Sequence, residues 1–255
     1  MKKQLSAKKI MRNAKSLEKV YYYDTIDSTN DEAKRLVNTF SGNFLVIASH
    51  QTKGRGRWNR SFFSPSGSGL YFSLVLRPSI PTEKCALVTV ATAVAVAEEV
   101  EKFSGKKADI KWVNDIFIDG KKCVGILTES IFENGKPLSV IIGVGINLTT
   151  ADFPDEIKEK AGNIGEVDRN ALVSAICDKI ACFVENLEEK KFMSGYASRC
   201  FLLEKEVSVY DKITDETFTA RAEEIDEEGR LIVVRNGERL VLSSEEVSLK
   251  VSNEQ

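Results

Sequence analysis

The chain has 255 residues, 42% of them hydrophobic, which is enough to bury a full core and to form one large domain with a smaller one beside it. Its net charge of -2 at pH 7 argues against nucleic acid as the main partner, because phosphate binding usually leaves a basic footprint. Apolar runs stay below membrane-spanning length and no signal-type apolar core follows the N-terminal lysines, so we expect a soluble, cytoplasmic protein with no membrane partner.

The first half of the chain predicts helices and strands in alternation. Apolar residues at near-helical spacing over residues 5–20 predict a short amphipathic helix on the surface. The segment Thr29-Asn30-Asp31-Glu32 has the pattern of a capping box, so a second helix is expected to begin near Thr29. Compact apolar runs predict strands at 44–49 and 70–77, and a long helix is expected over about 81–103.

The middle of the chain predicts two hairpins. Three short β-type runs follow the long helix, at 110–112, 116–118 and 124–129. Asp119-Gly120 and Asn134-Gly135 are residue pairs that tight hairpin turns favour, and the second pair leads to a further strand over 138–142. A long surface loop is expected over 150–168, followed by a helix over 171–187.

The character of the sequence changes at Glu204, where short β-rich segments begin. Four or five such segments in about 50 residues predict a small β barrel. We therefore divide the chain into a domain of residues 1–203 and a domain of residues 204–255. The second contains 14 acidic and 7 basic residues, a local net charge of -7 that we interpret as a solubilising surface.

A compact unit of glycines and arginines, Gly54-Arg55-Gly56-Arg57-Trp58-Asn59-Arg60, lies between two predicted strands. Glycine lets the backbone approach a ligand closely, and guanidinium groups bind oxygen anions through paired hydrogen bonds. Such a loop can fold over a small ligand and exclude water. The pattern alone is ambiguous, because Arg-Gly segments also bind nucleic acid nonspecifically or remain solvated. Trp58 either stacks on a base or packs within the closed loop.

A second motif, Lys111-Trp112-Val113-Asn114-Asp115, ends a predicted strand in an amide and a carboxylate, and two lysines follow the next turn. Lysines beside tight turns are usually only solvated. Gly125, however, lies three residues after Lys122 within a strand, where glycine is unfavourable unless something approaches the backbone closely. Two glycines repeat this pattern in the next strand, which ends at Asn147. We predict a flat, narrow slot between the strands and a polyanionic substrate beside it.

Several common site types are excluded. The phosphate-loop and dinucleotide-binding fingerprints are absent from the sequence. His50 is the single histidine, which disfavours a histidine-rich metal site, and there is no Gly-x-Ser-x-Gly segment for a serine nucleophile. We interpret His50 as a residue at the end of a strand.

The two motifs resemble those of the biotin protein ligases, whose Gly-Arg-Gly-Arg-x-Gly-Arg and Lys-Trp-Pro-Asn-Asp segments occur in this order. The resemblance extends from Ser28 to about Leu203, and a small C-terminal barrel also fits that family. It implies an α+β catalytic domain, a mixed β-sheet backed by helices as in class II synthetases, followed by an SH3-like β barrel. The sequence departs from the family pattern at Asn59 (usually glycine), Val113 (usually proline) and Phe62 (commonly an adenine-stacking tryptophan).

The resemblance also implies a set of site residues. Those assigned to biotin are Ser28, Thr29, Asn30, Gln51, Arg55, Gly56, Arg57, Lys122 and Gly125. Those assigned to ATP are Arg57, Phe62, Lys111, Asn114 and Asn147. Lys122 and Arg57 would be catalytic, and Asp115 would hold a magnesium ion, Mg²⁺.

The reaction that the resemblance implies is ATP-dependent biotinylation of a lysine on the biotin carboxyl carrier domain of a biotin-dependent carboxylase. Biotin's carboxylate first attacks the α-phosphorus of ATP, which brings two anions together, so fixed cations and a magnesium ion are needed to offset the repulsion. The product, biotinyl-AMP, is labile in water, which gives a closing arginine loop a second role as a shield.

Two rival classes stay open. A lipoate ligase or octanoyl transferase resembles this fold but lacks the two motifs together, and a noncatalytic nucleic-acid binder would have to use an acidic barrel. Some biotin protein ligases carry an N-terminal helix-turn-helix repressor module of roughly 60 residues. Only 27 residues precede Ser28, so we expect a ligase without repressor activity and without a nucleic-acid partner. The choice between a monomer and a homodimer, the carrier and the order of substrate binding stay open.

Overall fold

The structure, a computed structural model, describes residues 5–243 and 247–251. Its α-helices are α1 (Ala7–Asn13), α2 (Thr29–Leu36), α3 (Cys85–Ser104), α4 (Arg169–Glu185) and α5 (Met193–Arg199). A first group of strands comprises β1 (Lys19–Ile26), β2 (Phe44–Gln51), β3 (Gly69–Leu76), β4 (Asp109–Lys111), β5 (Asp115–Ile118), β6 (Lys121–Glu133) and β7 (Lys136–Asn147). A second group comprises β8 (Glu206–Asp211), β9 (Glu216–Ile225), β10 (Leu231–Arg235), β11 (Glu238–Leu242) and β12 (Val247–Val251).

The first group forms one seven-stranded mixed sheet in the order β1-β2-β3-β7-β6-β5-β4. Strands β1 and β2 pair in parallel, and the other neighbouring strands pair antiparallel. The two predicted hairpin turns are confirmed. Asp119, Gly120, Asn134 and Gly135 all have positive φ, as a two-residue turn of this kind requires.

The two faces of this sheet differ in what covers them. Helices α1, α3 and α4 pack on one face, where alternate residues of β7 from Val140 to Ile146 join the main hydrophobic core. Helix α2 packs on the opposite face against β2, β3 and β7. Side chains alternate along a strand, so Gly143, Gly145 and Asn147 lie on the face of α2. The small glycine residues of β7 therefore leave space for a ligand on this face.

The helix predicted over residues 5–20 is wrong in its second half. Helix α1 ends at Asn13, Ala14 has extended backbone angles, and residues from Lys19 onward form β1. Ala14 and Leu17 fit a helical period because both are buried, but tertiary packing buries them in an extended segment. The helix is also less superficial than predicted, since Ile10 is fully buried.

The capping box of α2 is displaced by one residue from the predicted position. Ser28 is the N-cap, and its side chain accepts a hydrogen bond from the backbone N–H of Asp31. Thr29 and Asn30 therefore lie in the first turn and are buried against the sheet. The displacement matters because it directs both side chains toward the open face.

Most other boundaries agree with the predictions within a few residues. The long helix α3 begins at Cys85, after a 3₁₀ turn over Thr82–Lys84, and ends at Ser104, because the next residue, Gly105, has a φ of 71°. Residues 150–168 lack long regular elements, as predicted. Helix α5 has no counterpart in the predictions, since its seven residues contain too few apolar positions to set a period.

The second group of strands forms a separate five-stranded sheet in the order β11-β10-β9-β8-β12, which agrees with the predicted SH3-like barrel. It contacts the segment between β4 and β5, where Trp112 donates a hydrogen bond through Nε1 to the carbonyl oxygen of Gly229, 2.9 Å away. The barrel is thus attached to the second sequence motif. Among the described helices, none combines the length and apolar composition needed to cross a membrane.

Candidate active site

The predicted slot lies where β6 and β7 pair on the open face. Gly125 pairs with Gly145, and Gly143 pairs with Ser73 of β3. A Cβ atom on Gly143 would lie 2.1 Å from the side-chain oxygen of Asn30, and one on Gly145 would lie 2.5 Å from the ring of Phe62. Glycine is needed at these positions because other side chains rest directly on the strand backbone.

A small inner cavity of about 30 Å³ lies above this floor. Six of the nine residues assigned to biotin line it: Ser28, Thr29, Asn30, Gln51, Arg55 and Gly125. Gln51 accepts hydrogen bonds through Oε1 from the backbone N–H and the hydroxyl of Thr29, at 2.8 and 3.1 Å. Gln51 also donates through Nε2 to the hydroxyl of Ser64, at 3.0 Å. The cavity wall is thus a fixed chain of uncharged donors and acceptors.

Acidic residues that the sequence analysis missed surround the rim of this cavity. Arg55 forms an ion pair with Asp31 at 2.6 Å and approaches Glu129 at 3.5 Å. Glu129 also pairs with Lys34 at 2.7 Å and accepts a hydrogen bond from Asn30 at 2.9 Å. Burial alone would raise the pKa of Glu129, but the hydrogen bonds from Lys34 and Asn30 and the charge of Arg55 lower it below its ordinary value. The sequence carries a signal for Glu129, which is an acidic residue directly after the mostly apolar run of β6 and on the same face of the sheet as Gly125.

A larger outer cleft of about 680 Å³ adjoins the inner cavity, and Arg55, Phe62 and Gly125 line both. Its basic residues are Arg55, Arg57, Arg60, Lys111, Lys122 and Lys160, against the two acidic residues Asp115 and Glu159. Gly56, Asn114 and Ile126 also line it. This excess of fixed positive charge suits a polyanion such as a nucleoside triphosphate.

Lys122 reaches the floor of the cleft because of an irregularity in the pairing of β5 with β6. The register shifts between Ile116 and Phe117, and a bulge of this kind redirects a side chain. The Cε atom of Lys122 lies 3.5 Å from the point where a Cβ on Gly125 would be. Its ammonium group forms an ion pair with Asp115, with Nζ 2.6 Å from Oδ1. Lys122 and Asp115 therefore lie side by side at the junction of the two cavities.

The second motif is held from both sides. Tyr196 of α5 donates a hydrogen bond through its hydroxyl to the carbonyl oxygen of Val113, at 3.0 Å. Burial holds the pKa of Tyr196 well above its ordinary value, so the hydroxyl stays a donor. The side chain of Asn114 donates to the carbonyl oxygen of Ile126 at 2.6 Å. Trp112, buried beside them, lines the outer cleft and also makes the contact with the barrel.

The arginine loop is folded into a compact turn. The backbone N–H of Gly56 donates to the carbonyl oxygen of Arg60 at 2.7 Å, which closes the turn. Arg57 reaches the second motif, with Nη1 3.4 Å from Oδ1 of Asn114. Trp58 packs against a neighbouring cation, with the Arg57 guanidinium 4.5 Å from the centre of its ring, and its stacking on a base stays a prediction. The two sequence motifs thus meet in space.

Two residues assigned to ATP have unexpected surroundings. The ring of Phe62 lies over Gly125 and Gly145, between the inner cavity and the outer cleft. Asn147 is buried beneath the 150–168 loop, where its side-chain nitrogen donates to the carbonyl oxygen of Gly162 at 3.0 Å. Its Oδ1 atom is buried and has no hydrogen-bond partner in the described part of the chain. Its assigned contact with ATP stays a prediction.

The residues around Asp115 fit a magnesium ion that is bound mainly through substrate phosphates. Within residues 5–243 and 247–251, His, Cys, Asp and Glu side chains do not form a group of three or more that could hold a metal by themselves. Magnesium commonly uses only one or two carboxylates together with phosphate oxygens and water. The single carboxylate of Asp115, in a cleft suited to a triphosphate, meets that requirement.

Comparisons with known proteins show the family of this chain. A model of the biotin/lipoate A/B protein ligase family matches residues 22–147. The bifunctional ligase/repressor BirA of Bacillus subtilis is 38% identical over 229 residues, which are 84% of this chain and 69% of that protein. The biotin–[acetyl-CoA-carboxylase] ligase of Mycobacterium tuberculosis is 26% identical over 214 residues, 80% of this chain and 77% of that protein.

Among solved structures, the biotin protein ligase of Aquifex aeolicus in complex with biotin and ATP matches with a TM-score of 0.79 and 26% identity. The match covers 92% of this chain and 100% of that one, so it includes both the mixed sheet and the small C-terminal sheet. The chain therefore belongs to the biotin/lipoate protein ligase family and, within it, to the biotin protein ligases. The predicted α+β fold and the family resemblance are confirmed.

Proposed function

We infer that this chain activates biotin with ATP and transfers it to a lysine of a biotin carboxyl carrier domain. One observation carries the inference: a narrow cavity, lined mainly by uncharged residues above a glycine floor, adjoins a cation-lined cleft, and Lys122 lies over the glycine that the two share. Two substrates of opposite character, one mostly uncharged and one polyanionic, must meet at such a junction. Biotin and ATP have these properties.

The inner cavity is the proposed biotin site. Its hydrogen-bonding wall, formed by Ser28, Thr29, Asn30 and Gln51, suits a cyclic urea, which offers two N–H donors and one carbonyl acceptor. At about 30 Å³ the cavity is narrower than a bicyclic ligand, so the ring of Phe62 must shift when biotin enters. Arg55, Gly56 and Gly125 would border the valeryl chain, and its carboxylate would extend toward Lys122.

The first chemical step joins two anions. A carboxylate oxygen of biotin forms a bond to the α-phosphorus of ATP, and the bond from that phosphorus to the bridging oxygen breaks, so pyrophosphate leaves with the electron pair. Lys122 and Arg57 would stabilise the charge that develops on the α-phosphate. Their positions are fixed before substrate arrives, which is the condition under which such charges lower a barrier most.

The nucleotide end of the cleft would be formed by Phe62, Lys111, Asn114 and Asn147, with Phe62 offering an aromatic face to adenine. Asp115 would hold magnesium. When bound, that ion would offset phosphate charge. The 150–168 loop borders this end, since the backbone N–H of Lys122 donates to the carbonyl oxygen of Lys160 at 2.8 Å.

The second step releases AMP. The neutral amine of a carrier lysine attacks the carbonyl carbon of biotinyl-AMP, an amide bond forms, and AMP leaves while the amine loses a proton to solvent. The arginine loop would cover the intermediate until the carrier arrives, because the mixed anhydride hydrolyses in water.

Three further points belong to the proposal. We assign residues 1–203 to the catalytic domain and 204–255 to the SH3-like domain, with the hydrogen bond from Trp112 to Gly229 as one of their contacts. We propose no nucleic-acid partner, which the net charge of -2 and the acidic second domain support. A homodimer would serve the enzyme alone, through an exposed strand edge.

One incubation tests the function against its rivals. The purified chain is mixed with ATP, magnesium, a biotin carboxyl carrier domain and either biotin or lipoate, and the carrier is weighed by mass spectrometry. We expect a mass increase equal to biotin minus water, dependent on ATP and absent when the carrier lysine is replaced. A lipoyl increase would identify a lipoate ligase, and no increase with either acid would overturn the ligase assignment.

A further inference from the structure

The hairpin that joins β8 to β9 in the second domain reaches the arginine loop of the first. At its tip the ammonium group of Lys212 lies 3.0 Å from the centre of the Trp58 ring. The guanidinium groups of Arg57 and Arg60 lie 4.5 and 5.6 Å from the same ring. One indole thus holds three cations from two domains, and Lys212 belongs to neither sequence motif.

The charge of Lys212 is not neutralised by its own hairpin. The carboxylate of Asp211 accepts hydrogen bonds from the backbone N–H groups of Ile213 and Thr214, at 2.8 and 3.4 Å. The carboxylate of Asp215 accepts one from the hydroxyl of Tyr210 at 2.6 Å. Both acidic groups are therefore used within the hairpin. Lys212 is half-buried, and it points away from them toward the loop.

Arg60, 5.6 Å from the centre of the same ring, also lacks a carboxylate partner among the described residues. In the described part of the chain, neither Arg60 nor Lys212 forms an ion pair with an aspartate or a glutamate. Desolvation, with the charges of Arg57 and Arg60, lowers the pKa of Lys212 below its ordinary value. The face of the aromatic ring attracts each cation, but the three cations repel one another, which disfavours their lying together. An anion bound among them would remove that conflict.

The surroundings indicate which anion. Arg57, Trp58 and Arg60 line the same cleft as Lys122, so a ligand whose α-phosphate lies at Lys122 extends along a wall that already carries these cations. The two terminal phosphates of ATP carry most of its negative charge. They leave together as pyrophosphate when the α-phosphorus is attacked.

We propose that Lys212 and Arg60 bind the β- and γ-phosphates of ATP and the departing pyrophosphate, so that the second domain supplies a residue to the first half-reaction. The idea rests on the proposed function. No proton moves in this step: the electron pair of the broken bond goes to the pyrophosphate oxygen, and the two cations offset that added charge. In the second half-reaction, where the leaving group is AMP, Lys212 has no role.

The test separates the two half-reactions. Lys212→Gln and Arg60→Gln are compared with the unmodified chain in biotin-dependent exchange of labelled pyrophosphate into ATP. They are also compared in transfer from preformed biotinyl-AMP to the carrier. The matched control is Lys205→Gln, which removes another barrel lysine, one that lies 5.1 Å from the ring of Phe201.

In Lys212→Gln we expect the KM values for ATP and for pyrophosphate to rise about tenfold, the magnitude of a charge-assisted hydrogen bond at a partly exposed site. The KM for biotin and the transfer rate from preformed biotinyl-AMP should stay unchanged, and Lys212→Arg should restore most of the exchange. Exchange that is unaffected by Lys212→Gln, or transfer that falls as much as exchange, would overturn the proposal. An unmodified chain that neither exchanges nor transfers would overturn the proposed function itself.

Discussion

The ammonium group of Lys122 lies 2.6 Å from the carboxylate of Asp115, at the point where the inner cavity meets the outer cleft. The two residues come from adjacent strands, and a register shift next to them directs Lys122 onto the open face. Before substrate binds, Asp115 therefore holds the lysine in place. We propose that a triphosphate and a metal ion would give both residues partners of opposite charge in the cleft.

Replacement of Lys122 by alanine should reduce adenylate formation by about 100- to 1000-fold, because it removes a fixed charge from the site where the transition state becomes more negative. Pyrophosphate release under single-turnover conditions measures the step directly. Lys121→Ala is the matched control, since that side chain is exposed in the same turn. Near-normal release from Lys122→Ala would remove Lys122 from the catalytic assignment.

Arg57→Gly should release biotinyl-AMP before the carrier arrives, because Arg57 links the arginine loop to Asn114 of the second motif. Activated biotin that escapes will react with lysines of any nearby protein. Biotin incorporation into an added bystander protein measures the leak, and Lys53→Gly controls for added loop flexibility. Labelling that stays confined to the carrier would contradict the retention role.

Trp112→Phe should lower the free energy of unfolding by about 1–3 kcal/mol, because the buried carbonyl oxygen of Gly229 loses its donor while most of the ring packing stays. Urea unfolding at neutral pH measures the change. Trp58→Phe is the control, since Trp58 is only half-buried and its contacts are with surface cations. Equal stability of Trp112→Phe and the unmodified chain would show that the contact contributes nothing.

Gly143→Ala should weaken biotin binding, because the new methyl group would displace the side chain of Asn30. Overpacking typically costs about 1–3 kcal/mol, equivalent to roughly 5- to 150-fold in affinity. Calorimetry with biotin measures the loss, and the KM for ATP should change little. Ser139→Ala, in the same strand, is the control, since the buried Ser139 hydroxyl has no hydrogen-bond partner among the described residues. A KM for ATP that rises in parallel with the loss of biotin affinity would argue against separate sites.

The lowered pKa of Glu129 leads us to expect that the stability of the fold depends on pH. This pKa is lower in the folded chain than in the unfolded chain, so the ionised Glu129 stabilises the folded state. The stabilisation is complete above the ordinary pKa of about 4.3 and is lost as the pH falls through the pKa of the folded chain. Urea unfolding of the unmodified chain and of Glu129→Gln should differ by a constant amount above about pH 5 and converge below about pH 4. Glu133→Gln, exposed near the end of the same strand, should show no such convergence. A constant difference down to pH 3 would contradict the linkage.

Local signals in the sequence determined much of this protein. The turn pairs Asp119-Gly120 and Asn134-Gly135 predicted both hairpins, because these residues tolerate positive φ better than others do. The strand glycines predicted a narrow slot, because glycine in a strand is retained where another group lies close to the backbone. The two motifs predicted the family through their resemblance to those of the biotin protein ligases, and their arginines and lysines predicted a polyanionic substrate.

Tertiary structure decided what no local pattern encodes. Ala14 and Leu17 are buried at a spacing that fits a helix, but their segment is extended and leads into β1. The bulge that directs Lys122 depends on how β5 and β6 pair. The carboxylates around Arg55 come from α2 and β6, nearly 100 residues apart, and Lys212 meets Trp58 only because the turn between β8 and β9 packs against the arginine loop. Contacts between distant segments depend on packing, so the sequence alone could supply their residues but not their partners.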